Sequence, residues 1–353
     1  MQSDSAFSEQ SLAGIWAKKY VQQLTDGVDN IQVESGQGRS QTAEKLVQRL
    51  RFCSSRAWAK TESLLFKELQ KHGISADLID PWKIADDSRQ LFEQAAEHYQ
   101  TEVTPERFSV IIAPKCGAIR RFYTATDPRI LGFLSMQFHY TGQFLLEELT
   151  AAERSAVVSY FKVMDDNLYM PLHRSYEAAA QQPYGAPALV AVQQLLPIST
   201  TIAELISLRV ANQNLEHRCF TGPLTHPDVT ISSIRDIEMF QIYLCLCVLE
   251  GNIAAVQQEL FPLCVMLYPP LNVQWTLVRQ LVQSLEQEIQ KRLPTASVAV
   301  FKPYLAAFRE MFSEDIFPED NPIWSYHPDA LRFMGMAREI LQGVLHQEEP
   351  LGR

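Results

Sequence analysis

The sequence predicts an all-α fold, a bundle of roughly ten or more helices with no significant sheet. Apolar residues recur at a spacing of three to four from Thr42 onward. Strand signals are confined to the short runs QVES and VTISS, and no Asn-Gly or Asp-Gly turn lies between alternating apolar runs. The chain has only 14 glycines in 353 residues, which suits helices better than hairpins. No self-similarity recurs at the period of a known solenoid. The expected helical content is about 60–70%, roughly twice the usual share.

Each element has its own local warrant. A short helix covers 10–24, and the polar, glycine-containing run DGVDNIQVESGQGRSQ after it reads as a loop. A long helix then starts at Thr42, carries Leu46, Leu50, Cys53, Leu65 and Leu69, and stops at His72-Gly73. A second covers 84–100. Thr104-Pro105-Glu106 and Asp127-Pro128 are helix starts, with proline where its missing N–H costs nothing. Thr150 and Glu153 form a capping box for a helix running to about 181, broken near 168–170 by Pro171. QQPYGAP, 181–187, is the clearest internal punctuation. Helices follow at 188–196, 199–212, 231–250 and 252–267. Gly251 turns the last two into an antiparallel hairpin, and Pro262 bends the second. A long amphipathic helix then reaches Leu293 on the seam Val278, Leu281, Leu285, Ile289, and two more lie near 297–312 and 328–345. Residues 237–249, IEMFQIYLCLCVL, are apolar nearly all round, so Ile237, Phe240, Tyr243, Leu244, Cys247 and Val248 are expected in the core.

Three segments follow from this reading. Residues 1–40 form a separable, partly flexible N-terminal segment, 41–180 one helical subdomain, and 188–347 a second packed on the first, unless the two are one continuous domain.

Composition narrows the function classes. The net charge of −10 disfavours nucleic acid, which needs a concentrated basic face. The start, MQSDSAFSEQSLAGIW, lacks the basic and apolar regions of a signal peptide. No membrane span is expected, the nearest candidate, 239–249, being too short and ending at Glu250. The six cysteines, 53, 116, 219, 245, 247 and 264, make no CxxC pair and read as reduced thiols in the cytoplasm. There is no P-loop, no G-x-S-x-G and no HExxH, and GQG at 36–38 is not a dinucleotide fingerprint.

Three candidate sites remain. Lys115, Arg120, Arg121 and Arg129, interleaved with Phe122 and Tyr123, stand out in an acidic chain. They lie between two proline-started helices, so a surface connector is expected to present them to a protein partner, arginine pairing with carboxylates and the rings adding contact area. A polar stripe, Asp165, Asp166, Tyr169 and His173, with His139 and Gln143 on the preceding helix, offers the alternative of a metal held by His139, Asp166 and His173. A hydrogen-bonded polar layer is the plainer reading of the stripe. His217, Cys219, His226 and Asp228 crowd one loop without standard zinc spacing, and a structured loop is expected there.

MQFHYTGQFLLEEL, LYMPLHRSYEAAA and EMFQIYLCLCVLEGNIAAVQQELFPLCVMLYP resemble glutamine-rich helical proteins of cyanobacteria without assigned chemistry. The resemblance covers most of 104–345. It implies an accessory role in a photosynthetic cell, in the cytoplasm or at the thylakoid surface, and no reaction. The combined expectation is a non-enzymatic protein-binding protein of assembly or regulation, with no cofactor. The alternative is a helical cofactor-binding protein, holding haem, a tetrapyrrole or a metal through His139 or His173, and acting as an oxidoreductase.

Overall fold

The computed structural model describes residues 11–26 and 36–317, with side chains described outside 21–26. The expected helix at 328–345, the run QVES and the ends of the N-terminal segment lie outside the described residues. Within them the chain is all-α: it is 82% helical without a named strand, a single β-bridge, Arg218 to Pro223, being the only extended pairing.

The chain divides into two compact units. Unit 1 comprises 1–67 and 75–181, and unit 2 comprises 68–74 and 182–353.

Unit 1 contains α1 (Leu12–Asp26), most of α2 (Gly36–Lys71), α3 (Pro81–Gln100), α4 (Pro105–Thr126), α5 (Leu131–Glu147), α6 (Ala151–Tyr169) and α7 (Leu172–Ala180). α4 is central, packing on α1, α6 and α7, while α3 packs on α5 and α6. The Thr150–Glu153 capping box forms as expected. Helix α6 stops at Tyr169 and α7 restarts after Pro171, which cannot donate into the ladder. Two expectations are corrected. α2 begins at Gly36 instead of Thr42, because Gly36 and Gly38 cost only about 1 kcal/mol each in a helix and tertiary bonds secure the first turns. Gln100 Nε2 donates to Ser40 Oγ at 3.2 Å, and Arg39 sits 3.7 Å from Glu102. Nor is the N-terminal segment wholly separable, since Trp16 and Tyr20 on α1 are each 1% exposed, packed against unit 1.

Unit 2 contains α8 (Pro187–Leu195), α9 (Ser199–Gln213), α10 (Pro227–Glu250), a π-turn (Val256–Leu260) leading into α11 (Phe261–Leu267), α12 (Trp275–Arg292) and α13 (Thr295–Met311). α10 lies at its centre against α8, α9 and α13. Every residue from Ile237 to Leu249 is buried, including all six expected core positions. Gly251 ends α10 at φ +69°, the left-handed conformation glycine adopts without strain. Just before Pro262, where a bend was expected, stands a π-turn in which the Phe261 N–H bonds to the Val256 carbonyl. The membrane expectation is also revised. Residues 178–203 carry no charged side chain, and the helical stretch Pro187–Gln213 is long and apolar enough to cross a membrane by length and composition. Only 44% of its most apolar window is buried.

Candidate functional site

The expected basic cluster does not lie on a connector. Lys115 to Tyr123 are inside α4, which Thr104 caps by accepting from the Arg107 N–H at 3.4 Å and which runs unbroken past Pro114 to Thr126. The helical period therefore sorts the cluster between two faces. Phe108, Ile112, Cys116, Arg120 and Tyr123 point inward, while Ile111, Pro114, Ala118, Arg121 and Phe122 face solvent.

Arg120 is 4% exposed and donates through Nη1 to the carbonyls of Leu168, at 2.5 Å, and Tyr169, at 2.8 Å. These carbonyls lie at the end of α6, where Pro171 breaks the helix, so Arg120 ties α4 to that end. Beside it, burial pushes the Cys116 thiol up to about 12, against the opposing pull of Arg120 and Lys115. That thiol is therefore neutral and inert. The Tyr123 hydroxyl donates to Asp87 Oδ2 at 2.7 Å. Burial first, then the Asp87 carboxylate, raises its pKa and keeps it a donor. Arg129 forks onto Asp127 (Nε to Oδ1, 2.9 Å; Nη2 to Oδ2, 2.6 Å) at the 3₁₀ turn before α5. Burial raises the Asp127 pKa, but the hydrogen bonds from Arg129 outweigh it and the net shift is downward. Arg120, Tyr123 and Arg129 are thus corrected from partner contacts to internal fastenings. Lys115 is half-buried at the border of the two faces.

Arg121 and Phe122 do reach the surface, and there they meet a residue from another candidate set. Pro114, Ala118, Arg121 and Phe122 of α4 and His173 and Glu177 of α7 line an open groove of about 450 Å³. Its floor depends on Gly117. A Cβ built there would fall 2.7 Å from the His173 side chain, so only glycine lets α7 come this close. Arg121 Nη2 is 2.9 Å from Glu177 Oε2, and His173 Nδ1 is 3.6 Å from the same oxygen. Desolvation lowers the His173 pKa, and Arg121 adds to it, against the raising pull of Glu177. On the far rim Lys83 Nζ lies 4.8 Å from the centre of the Phe122 ring and also pairs with Asp87 at 3.0 Å. Phe122 is 52% exposed between these two cations.

The metal alternative loses its geometry. Asp166 is wholly buried and faces cations: Lys19 at 3.2 Å, Lys162 at 3.1 Å and the Tyr20 hydroxyl at 2.9 Å. His173 is in the groove against Gly117, and His139 lies beside the Tyr140 ring, at 5.5 Å between centroids. No group of three His, Cys, Asp or Glu side chains among the described residues could hold a metal ion. Burial raises the Asp166 pKa, but Lys162 and Lys19 more than reverse this and the carboxyl stays ionised. The polar-layer reading fits this hub, which joins α1 to α6. In the 217–228 loop, His217 Nε2 contacts the Asn272 carbonyl at 2.8 Å, the Cys219 N–H bonds to the Gly222 carbonyl at 2.8 Å, and His226 accepts from the Asp228 N–H at 3.3 Å. The His217 and His226 side chains serve loop structure, and Cys219 and Asp228 enter it through their backbone N–H groups.

Sequence reasoning missed Pro114, Ala118, Glu177 and Lys83. The spacing Ile111, Pro114, Ala118, Phe122 was a legible signal, an apolar row at three to four residues opposite the row that carries Phe108 and Ile112. Comparison with protein-family models, with curated proteins and with solved structures gives no match to this chain.

Proposed function

We propose that this protein is a non-enzymatic docking factor of assembly or regulation, and that the α4–α7 groove receives an apolar, carboxylate-bearing segment of another protein. The observation that carries the reading is the half-exposed Phe122, framed by Lys83 and Arg121 at the rim of an open groove. Aromatic and arginine side chains together are the composition of binding hot spots. The Arg121–Glu177 pair is exposed on both sides, 67% and 45%. Such pairs contribute only about 0–1 kcal/mol, so a partner carboxylate replaces Glu177 at little cost. The accessory role implied by the cyanobacterial resemblance, in the cytoplasm or at the thylakoid surface, belongs to the same proposal.

The test compares wild type, Arg121→Glu and Phe122→Ala as baits in native extract, followed by titration of each recovered protein after purification. Truncating the ring should weaken capture roughly thirtyfold or more, the scale of a hot-spot residue at about 2 kcal/mol and above. Charge reversal should slow association and make it salt-dependent. Both variants should keep the wild-type unfolding midpoint, whereas Arg120→Glu should not fold normally. Equal affinity of all three equally stable baits rejects the groove.

A further inference from the structure

Helix α2 turns one face into unit 1 and the other to solvent. Leu46, Leu50, Cys53, Ala57 and Leu65 are buried, while Phe52 and Phe66 stand outward at 57% and 48% exposure. Ser55, Ala59 and Ser63 lie between the two rings, exposed on the same helical face. Single apolar side chains on a surface need no explanation, but this row has an internal order. Read in either direction it is Phe, Ser, Ala, Ser, Phe, at steps of three, four, four and three residues.

That order is two-fold. An identical helix laid antiparallel, with Ala59 over Ala59, sets each Phe52 against Phe66 of the other copy and each Ser55 against its Ser63. A patch that complements itself under a two-fold rotation is what a symmetric dimer requires. The small side chains at the crossing let the helices approach to the near end of the roughly 8–10 Å range of packed helices, and two pairs of rings close the ends.

The charges beside the row favour a copy over an anionic partner. On one flank Lys45, Arg49 and Arg56 pair with Glu153 at 2.9 Å, Glu148 at 3.4 Å and Glu147 at 3.6 Å, and Arg56 also lies over the Phe144 ring at 3.9 Å. These cations are balanced within unit 1, so an anionic surface gains little from them and a second copy meets little repulsion. On the other flank Arg51 and Glu62 are exposed with opposite signs. The antiparallel register sets each Arg51 about 7.5 Å along the axis from Glu62 of the other copy. We propose that the outer face of α2 is a two-fold interaction surface on which this protein pairs with a second copy of itself, antiparallel about Ala59. The seam from 52 to 66 is only about 21 Å long, too short to bury the roughly 1,200–2,000 Å² of stable complexes, so the dimer forms and dissociates with concentration.

The experiment uses the full chain in a Cys219→Ser background, since the other five cysteines are buried. Ala59→Cys should give a disulfide-linked dimer on mild oxidation, because position 59 meets itself on the two-fold axis. Ser55→Cys and Ser63→Cys should each stay unlinked alone, their own copies lying about 12 Å apart along the seam, beyond the reach of a disulfide. A mixture of these two variants should yield the mixed dimer. Sedimentation of the wild type should show a reversible monomer–dimer equilibrium. Phe52→Glu acts at both ends of the seam and should raise the dissociation constant about thirtyfold or more, with an unchanged unfolding midpoint. Ser55→Cys or Ser63→Cys linking to itself as readily as Ala59→Cys overturns the antiparallel pairing. A wild type that is monomeric at every concentration overturns the dimer, as does Phe52-dependent capture by phosphatidylglycerol vesicles of a protein that does not pair.

Discussion

Asp166 in unit 1 and Leu244 in unit 2 are both fully shielded from solvent, and each holds its surroundings by different physics. Around Asp166, helices α1 and α6 are joined by direction-dependent bonds: two lysines and a tyrosine converge on one carboxylate, and Trp16 Nε1 donates to that tyrosine's oxygen at 3.1 Å. Leu244 lies in the buried run Ile237–Leu249, which is apolar apart from Glu238 and Gln241, and apolar contacts are non-directional. Phe240 meets Phe312 at 5.4 Å and Phe308 at 6.3 Å between ring centres, and cysteines fill gaps as small hydrophobes. A charge hub specifies one arrangement and fails abruptly when a member is removed. An apolar core loses stability in proportion to the volume lost.

The largest effect is therefore expected at Asp166. Asp166→Ala leaves Lys19 and Lys162 without their carboxylate, a loss on the order of 3–5 kcal/mol for a broken buried network. Chemical denaturation with hydrogen exchange read in α1, α4 and α6 should show it, and an unchanged midpoint would remove the hub from the account. The pH dependence has a definite sign. The folded pKa of Asp166 is lowered, so its stabilisation is complete above the ordinary carboxylate value of about 3.9 and is lost as pH falls through the folded value. The Asp166→Ala variant should lack that part of the acid limb.

Leu244→Ala comes next, at about 2–5 kcal/mol for a cavity in a packed core. The contrast sharpens in a companion variant. Leu244→Met should cost under about 1.5 kcal/mol because an apolar core tolerates shape exchange at constant volume, whereas Asp166→Asn keeps shape, loses charge, and should remain strongly destabilising. Equal tolerance at the two sites would break the distinction.

The same contrast explains what was legible in the sequence. Helix boundaries and the apolar core of α10 are local properties, written in caps, prolines and periodicity, so Thr150, Pro171, Gly251 and residues 237–249 could be read directly. The site was not local. Thr104-Pro105 and Asp127-Pro128 are true starts, but the cluster was assigned to a connector because it lies between those two proline-started helices, although the first of them runs on through the cluster to Thr126. Pro114 sits on the solvent side, where a bend is cheap, and Gly117 is required by His173, fifty-six positions away in number and adjacent in space. Arg120 follows Phe108, Ile112 and Cys116 at four-residue steps, which placed it on the inner face. Its partners, the carbonyls of 168 and 169, become visible only once α6 and α4 are packed.

Gly117→Ala should cost about 1–3 kcal/mol, the scale of overpacking, and should push α7 outward because the contact is with the root of the His173 ring and not a flexible tip. The groove should open, and Arg121 and Glu177 should separate. A crystal structure of the variant with His173 unmoved and stability unchanged would show that α7 is not held by this approach.

The smallest expected effect is the titration of His173. Its imidazole is partly desolvated between α4 and α7, and Arg121 disfavours the added charge, so its folded pKa lies below the ordinary value of about 6.5 despite Glu177. As pH falls below 6.5 the unfolded chain takes up this proton before the folded one does. Stability is therefore lost progressively down to the folded pKa, and is unaffected above 6.5. Removing the guanidinium removes one of the two depressing causes and leaves Glu177 without its competitor. Arg121→Gln should consequently raise the pKa that nuclear magnetic resonance reads at the His173 ring protons. A histidine that titrates at or above its ordinary value in the wild type, or one whose pKa is indifferent to Arg121, would show that His173, Arg121 and Glu177 are neighbours in space without being one electrostatic unit, and the groove would then owe its recognition to Phe122 alone.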